Sequence, residues 1–306
     1  MQGELKYYKN PPGGIPAIVD SEKSLAQAIS QLAKTEGALA IDAERASGYT
    51  YSQQAYLLQL KKSDTPTFLI DPTLEINYQD LKNLINESSW ILHAATQDLP
   101  CLYQFDLKPK EIFDTEVAAR LLELPRVGLA GLLEDRLQIA IDKAHSAVNW
   151  ASRPLKIEWL SYAALDVEFL HTLQSDLTEQ LIAQEKIEVA NQVFSELLQF
   201  QPNPPRPEAW RGTSGIHKLT SNREAAIVSE LWQARDKIAR ESNLAPHRVI
   251  RDEKIISLAI EKPKTEKAFL KILSNKQYQR DHLQEIYVAY VAALEIPPSL
   301  WPPRRR

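Results

Sequence analysis

Cysteine is nearly absent from this chain: Cys101 is the only one in 306 residues. An intramolecular disulfide is therefore excluded, and so is a zinc site built on cysteines. No apolar run reaches membrane-spanning length, and the opening M-Q-G-E-L-K-Y-Y-K lacks the apolar core of a signal peptide, so a cytoplasmic location is expected. The sequence has no H-E-x-x-H, no P-loop and no G-x-G-x-x-G, which leaves metalloprotease, NTPase and dinucleotide-binding readings without support. Internal repeats and low-complexity tracts are missing too. What is there is an ordinary globular composition, 44% hydrophobic and 25% charged, in a chain long enough for one large domain plus a small one.

The net charge of −4 hides an asymmetry. Residues 203–306 carry 19 Lys and Arg against 12 Asp and Glu, a balance of +7. Subtracted from the totals of 36 and 40, this leaves 17 against 28, or −11, for residues 1–202. An acidic half followed by a basic one suits a polyanionic substrate, provided the acids hold metal.

The pattern of the chain divides in the same place. After a loose start over residues 1–16, a short strand near 16–20 leads into an amphipathic helix to about Lys34, capped by Asp20 or Ser21. Strands follow at 38–45, 55–60 and 67–71, three in a meander. Strands and helices then alternate through residue 124, and helices dominate from Leu129, with residues 157–200 read as helical with one break. Residues 201–214, Q-P-N-P-P-R-P-E-A-W-R-G-T-S, read as a linker. Beyond them the pattern is helix only until the terminal P-P-S-L-W-P-P-R-R-R. The expected architecture is an α/β domain on a mixed sheet over residues 1–200, a linker over 201–214, an all-helical domain over 215–296 and a tail over 297–306.

Three short patterns carry chemistry. In the strand A-L-A-I-D-A-E-R, alternation sends Asp42 and Glu44 to one face, roughly 7 Å apart, and Leu39, Ile41 and Ala43 to the other. Carboxylates in an apolar strand need a partner, and a divalent cation fits this pair. Asp98 opens a helix just after the strand W-I-L-H, where an acid would by itself read as a helix cap. Tyr162 and Asp166 stand at i and i+4 in L-S-Y-A-A-L-D-V-E-F-L and share a helix face. The polar loop D-K-A-H-S-A-V-N-W-A-S-R-P-L adds Lys143, Trp150 and Arg153, an aromatic among bases suited to stacking and phosphate contact with a single strand; Trp150 reads equally as a loop anchor. His93 and Cys101 read as structural.

The order D-x-E, D, Y-x-x-x-D resembles the DEDDy group of 3′→5′ exonucleases. The words A-I-D-A-E-R…Y-L-L-Q-L, I-L-H-A-A-T-Q-D-L, F-D-T-E-V-A-A-R-L-L and R-P-L…L-S-Y-A-A-L-D-V resemble the ribonuclease D family in particular, and the trailing helices resemble an HRDC domain. The resemblance runs from about residue 16 to 296. It implies a ribonuclease H-like core in which Asp42, Glu44, Asp98 and Asp166 hold two Mg²⁺ or Mn²⁺ ions and Tyr162 orients a water. It also implies removal of 5′-mononucleotides from RNA 3′ ends, with tRNA precursors or other small structured RNA as substrate. A DNA exonuclease of the same group is the related alternative, and a non-catalytic nucleic-acid-binding adaptor the rival from another class. Members of the family commonly have Asp before the loop tryptophan, where this chain has Asn149. The basic residues Arg235, Arg240, Lys254, Lys262, Lys264, Lys267 and Lys271 of the last helices are expected to meet nucleic acid.

Overall fold

The structure, a computed structural model, describes residues 4–142, 145, 147–202, 204, 206–273 and 278–304. They sort into two compact units, Met1–Ala46 with Gln53–Pro202 and Ser47–Ser52 with Asn203–Arg306.

The first unit contains β1 (Lys6–Tyr8), β2 (Ile18–Val19), α1 (Glu22–Lys34), β3 (Leu39–Arg45), β4 (Ala55–Lys61), β5 (Phe68–Ile70), α2 (Gln79–Asn86) and β6 (Ser89–Leu92). It continues through α3 (Leu99–Gln104), β7 (Glu111–Asp114), α4 (Thr115–Leu121), α5 (Leu129–Leu137), β8 (Ile139–Ile141), α6 (Ile157–Glu168), α7 (Leu170–Ala183) and α8 (Ile187–Leu197). Six strands form a mixed sheet in the order β2-β5-β4-β3-β6-β7. The meander β3–β4–β5 is antiparallel, while β6 and β7 add in parallel on the far side of β3.

Hydrophobic alternation sets the register of the central strand. Leu39, Ile41 and Ala43 of β3 join Leu58 and Leu60 of β4 in a core that takes in Leu25, Ala28 and Leu32 of α1 and Leu81 and Ile85 of α2. Each fully buried leucine or isoleucine contributes about 1.5–3 kcal/mol. A slip of one residue would lose that burial and drive Asp42 and Glu44 into the same core. The opposite face, with Ala40 and Ile91, packs on Val167 and Leu170, the end of α6 and the start of α7. The two acids therefore face α6.

Helix α1 begins at Ser21, whose hydroxyl accepts from Ser24 N–H at 3.3 Å while Ser24 Oγ accepts from Ser21 N–H at 3.1 Å. Two sequence expectations change here. Residues 6–8 are not loose; they pair in parallel with β8, a partner too distant in the chain for a three-residue pattern to announce. Residues 157–200 break twice rather than once. The second break turns on Glu185 at φ 57°, a left-handed residue with no glycine or proline beside it to mark it.

The second unit contains α9 (Asn222–Glu241), α10 (Pro246–Val249), α11 (Asp252–Glu261), α12 (Glu266–Ile272) and α13 (Arg280–Leu294). Ile227, Leu231, Ile238, Ile255, Phe269 and Tyr290 make its core, which also takes in Trp210 from the proline-rich stretch. Residues 47–52 are built into this unit. Tyr51 donates to Asp236 at 3.0 Å, Ser52 N–H to Asn243 at 2.9 Å, and Ala245 N–H to the Tyr49 carbonyl at 3.1 Å. Among the described residues no helix is long and apolar enough to cross a membrane.

Candidate metal centre

Carboxyl oxygens of Asp42, Glu44 and Asp166 lie within 4.8 Å of one another. Two come from neighbouring positions on one face of β3 and the third from α6, which packs across β3, β4 and β5. The end of α6 is tied to the sheet by Glu168, which accepts from Thr67 at 2.9 Å and pairs with Lys61 at 3.4 Å. This tie fixes where Asp166, half a turn earlier, meets the strand. Tyr162 stands one turn before Asp166 and hydrogen-bonds to it.

Asp98 lies beside this trio. Its side chain caps no helix N–H, so the capping explanation of that acid fails. It shares a hydrogen bond with Asp42 and meets Arg45 at 3.8 Å. Only 7% of Asp98 and 8% of Glu44 is exposed, too little for water to solvate either charge. Burial is accordingly the main force pushing Glu44 well above the ordinary carboxyl range, with Asp42, Asp166 and Asp98 adding to it. Asp98 and Asp166 are pushed up by burial first and by Asp42 next. Burial also raises Asp42, against the Ala43 backbone N–H, Asp98 and Arg45. Four acids with one nearby arginine form a site short of positive charge. Hard oxygen donors and unmet negative charge are what Mg²⁺ or Mn²⁺ requires, so the residues fit a divalent ion.

Tyr162 is itself raised above its ordinary value, by burial first and then by Asp166, Glu44 and Asp42. It stays a neutral phenol near neutral pH and donates its hydrogen bond to Asp166.

Two residues of the site escaped the sequence reading. Strict alternation sends Arg45 away from the acids, but the register shifts between Glu44 and Arg45 and lets it reach Asp98. Asp114, at the end of β7, accepts backbone N–H groups of Ala94, Ala95, Glu116 and Val117 at 3.1, 2.7, 2.8 and 3.2 Å. It therefore caps α4 and also pins the turn through left-handed Ala94 that delivers Asp98. The signal was an Asp-Thr-Glu at a strand end ahead of a helical pattern, an N-cap word.

Of the expected substrate contacts, Lys143 lies outside the described residues. Trp150 has 0% exposure and packs on Trp159 and Tyr162 at ring separations of 5.8 and 6.4 Å. It backs the tyrosine and offers no face to a base. Arg153 gives a fork to Asp71 at 2.6 and 2.8 Å and further bonds to the carbonyls of Tyr56 and Trp150, both at 2.8 Å. Burial alone would raise Asp71; the Arg153 and Thr73 contacts hold it below its ordinary value. That guanidinium is committed to the fold. His93 bonds to Thr115 Oγ1 at 2.9 Å and is pushed down to about 4 by burial, which makes it a neutral structural group.

Comparison with known proteins gives a consistent picture. The sequence pattern of a 3′-5′ exonuclease family matches residues 16–182, and that of the HRDC domain matches residues 224–287. The ribonuclease D of Bartonella henselae is 28% identical over 247 residues, covering 78% of this chain and 60% of that protein. This chain spans about three fifths of the length of such curated relatives. A crystal structure of a protein from Bifidobacterium adolescentis superimposes with a TM-score of 0.89 at 34% identity, over 98% of this chain and 79% of that one. Escherichia coli RNase D, described as an exoribonuclease involved in structured RNA processing, superimposes with a TM-score of 0.72 at 26% identity, over 94% and 77%. With Asp42, Glu44, Asp166 and Tyr162 gathered where β3 meets α6, Asp98 beside them, and an HRDC match downstream, the chain belongs to the 3′-5′ exonuclease family and is similar to ribonuclease D proteins.

Proposed function

We propose that this chain is a divalent-metal-dependent 3′→5′ exoribonuclease that releases 5′-mononucleotides, acting in the cytoplasm on tRNA precursors or other small structured RNA. The observation that carries the reading is the convergence of Asp42, Glu44 and Asp166 within 4.8 Å, with Asp98 and Tyr162 against them. Two Mg²⁺ or Mn²⁺ ions, with Asp42 shared, Glu44 and Asp166 on one and Asp98 on the other, would supply Lewis acidity and neutralise charge at the scissile phosphate. The protein's own part is to hold four carboxylates at fixed spacing in a poorly hydrated pocket. Tyr162, a phenol that keeps its proton, orients the attacking water through its hydroxyl. Trp150 and Trp159 behind its ring limit how far that hydroxyl moves.

The helical unit, at +7, holds RNA near the pocket through phosphate contacts. The test is hydrolysis of one 3′-labelled RNA and one DNA strand, each with and without Mg²⁺ or Mn²⁺. Metal-dependent stepwise loss of mononucleotides from RNA supports the reading. Preference for DNA would make it a DNA exonuclease of the same group. RNA binding without hydrolysis under any metal condition would make it an adaptor.

A further inference from the structure

Across the ladder from Asp42 stands Gln59 of β4, its direct partner in register. Directly opposed residues of an antiparallel pair share a face, with Cβ atoms roughly 5 Å apart. Gln59 therefore faces α6 beside the carboxylate that anchors the site, while its neighbours Leu58 and Leu60 turn into the core on the other side. It has 0% exposure, and neither its amide nitrogen nor its amide oxygen has a hydrogen-bond partner among the described residues. Among those residues it is the one side chain with both polar ends buried and unpartnered. Each such end gives up its hydration with no bond in return, which weakens the fold. A leucine or methionine would fill the same space without that cost, as Leu57, Leu58 and Leu60 of the same strand do.

Asp42 does not answer the amide, because its carboxyl is engaged with Asp98 and with the Ala43 backbone N–H. On the remaining sides are β5, where Leu69 stands opposite Gln59, and α6, whose Ala163 and Ala164 are fully buried and carry no polar side-chain atoms. The polar groups on this face are those of the acidic cluster, and Asp42 stands first among them because it is the direct partner of Gln59 in register.

We propose that Gln59 is a positioning residue for the metal centre. Its amide N–H donates to the Asp42 carboxylate when that group ligates an ion, and its amide oxygen accepts from a water bound to the same ion. This rests on the metal-site reading given above and adds to it a ligand-orienting partner outside the D-x-E, D, Y-x-x-x-D set. Groups that orient a ligating carboxylate are typically worth ~10- to 100-fold in metal affinity. The arrangement also has an unusual signature: Gln59 weakens the metal-free fold and strengthens the loaded one.

The test uses the full chain with Mn²⁺ alone as probe. Melting temperature without metal and Mn²⁺ affinity by calorimetry are measured for the native protein, Gln59→Met and Gln59→Leu. Either apolar variant should melt no lower than the native protein without metal, and should bind Mn²⁺ ~10- to 100-fold more weakly. Unchanged Mn²⁺ affinity in both variants overturns the proposal. So does a lower metal-free melting temperature in both, since that would give the amide a structural partner in the empty protein. A native protein that binds no Mn²⁺ would instead overturn the metal-site reading itself, which keeps the two failures apart.

Discussion

Replacing Asp42 by Asn should make the metal-free protein more stable and the metal-supplemented protein inactive. The sign follows from the crowding of acids. Two full charges at 4.8 Å repel by about 3.5 kcal/mol at an effective dielectric of about 20. Asp42 faces Glu44 and Asp166 at such spacing, so two repulsions are removed together. Protonation already relieves part of this strain, because burial raises all three carboxyls in the folded state, Glu44 and Asp166 well above their ordinary range. A net gain of about 1–2 kcal/mol at pH 8 is what remains after that relief, or about 3–6 °C in the melting of a unit of this size. The native protein should behave in the opposite way with metal. At 100 times the dissociation constant, an ion that binds only the folded state adds about 2.7 kcal/mol. The Asn variant, which has lost the shared ligand, should gain little.

The pH dependence of the same experiment has a fixed sign. Glu44, Asp98 and Asp166 are raised in the folded state, chiefly by burial. Below the ordinary carboxyl range both states are protonated, and the contribution of these groups to stability is fully present. Above that range the unfolded chain has released its protons while the fold still holds them. Metal-free stability therefore falls as pH rises from the ordinary range through the raised values, by about 1.4 kcal/mol per pH unit for each proton held in excess. Saturating Mn²⁺ should flatten the slope, and Asp42→Asn should reduce it. Thermal melts from pH 5 to 9, with and without Mn²⁺, read all of this. An Asp42→Asn protein that melts below the native one without metal, or that still hydrolyses RNA with metal, would refute the reasoning.

Tyr162→Phe keeps the ring packed on Trp150 but loses the hydroxyl, so turnover should fall by ~10²-fold while Mn²⁺ affinity holds; native turnover in single-turnover kinetics would make the tyrosine purely structural. Asp114→Ala leaves four backbone N–H groups without their acceptor and should cost about 2–3 kcal/mol, measured by denaturant unfolding, with a further loss of activity as the Asp98 turn loosens. Arg153→Lys cannot reproduce the two-pronged contact to Asp71 and should lower stability by about 2 kcal/mol while RNA affinity, measured well below melting, stays constant; an affinity loss with unchanged stability would return Arg153 to the substrate. Lys264, Lys267 and Lys271 are exposed on the helical unit, and changing all three to Gln should shallow the salt dependence of single-strand binding by up to about 0.7 per lysine in contact with phosphate.

How much of this was legible in the residues depended on whether partners were near in sequence or pattern. Asp42 and Glu44 could be read from alternation alone, because leucine and isoleucine on one side leave acids only the other. Tyr162 and Asp166 were legible from a single helical turn. Asp98 was placed with the acids by the order of the motifs, while the Asp114 contacts that pin the turn before it, from Ala94 and Ala95 twenty and nineteen positions upstream, were not legible. Arg45 was hidden by a register shift, which period-two counting cannot see. Arg153 looked available because its partner Asp71 lies 82 residues upstream, and a loop arginine beside a tryptophan reads as substrate contact until that partner is known. Trp150 is the same case: indole and flanking bases suit a stacked nucleotide equally well whether the ring is open or covered.

The charge of the two units completes the argument for how such a site could be used. A nuclease unit at −11 would gain only four positive charges from the two divalent ions proposed above, and those would sit in the pocket. Arg153, a base in the loop before α6, has its charge matched by Asp71 and offers little net attraction to a phosphate. Repulsion over the rest of that unit then favours one approach for a phosphate backbone, with the strand's end at the metals and its length elsewhere. An enzyme that consumes ends benefits from this, because interior phosphates gain no foothold near the metals. The +7 helical unit can hold the body of the RNA without competing for its end, since it carries none of the four acids. On this reading, adding positive charge around the pocket would raise affinity and slow turnover together, because product and interior strand would both linger where only a 3′ end should bind.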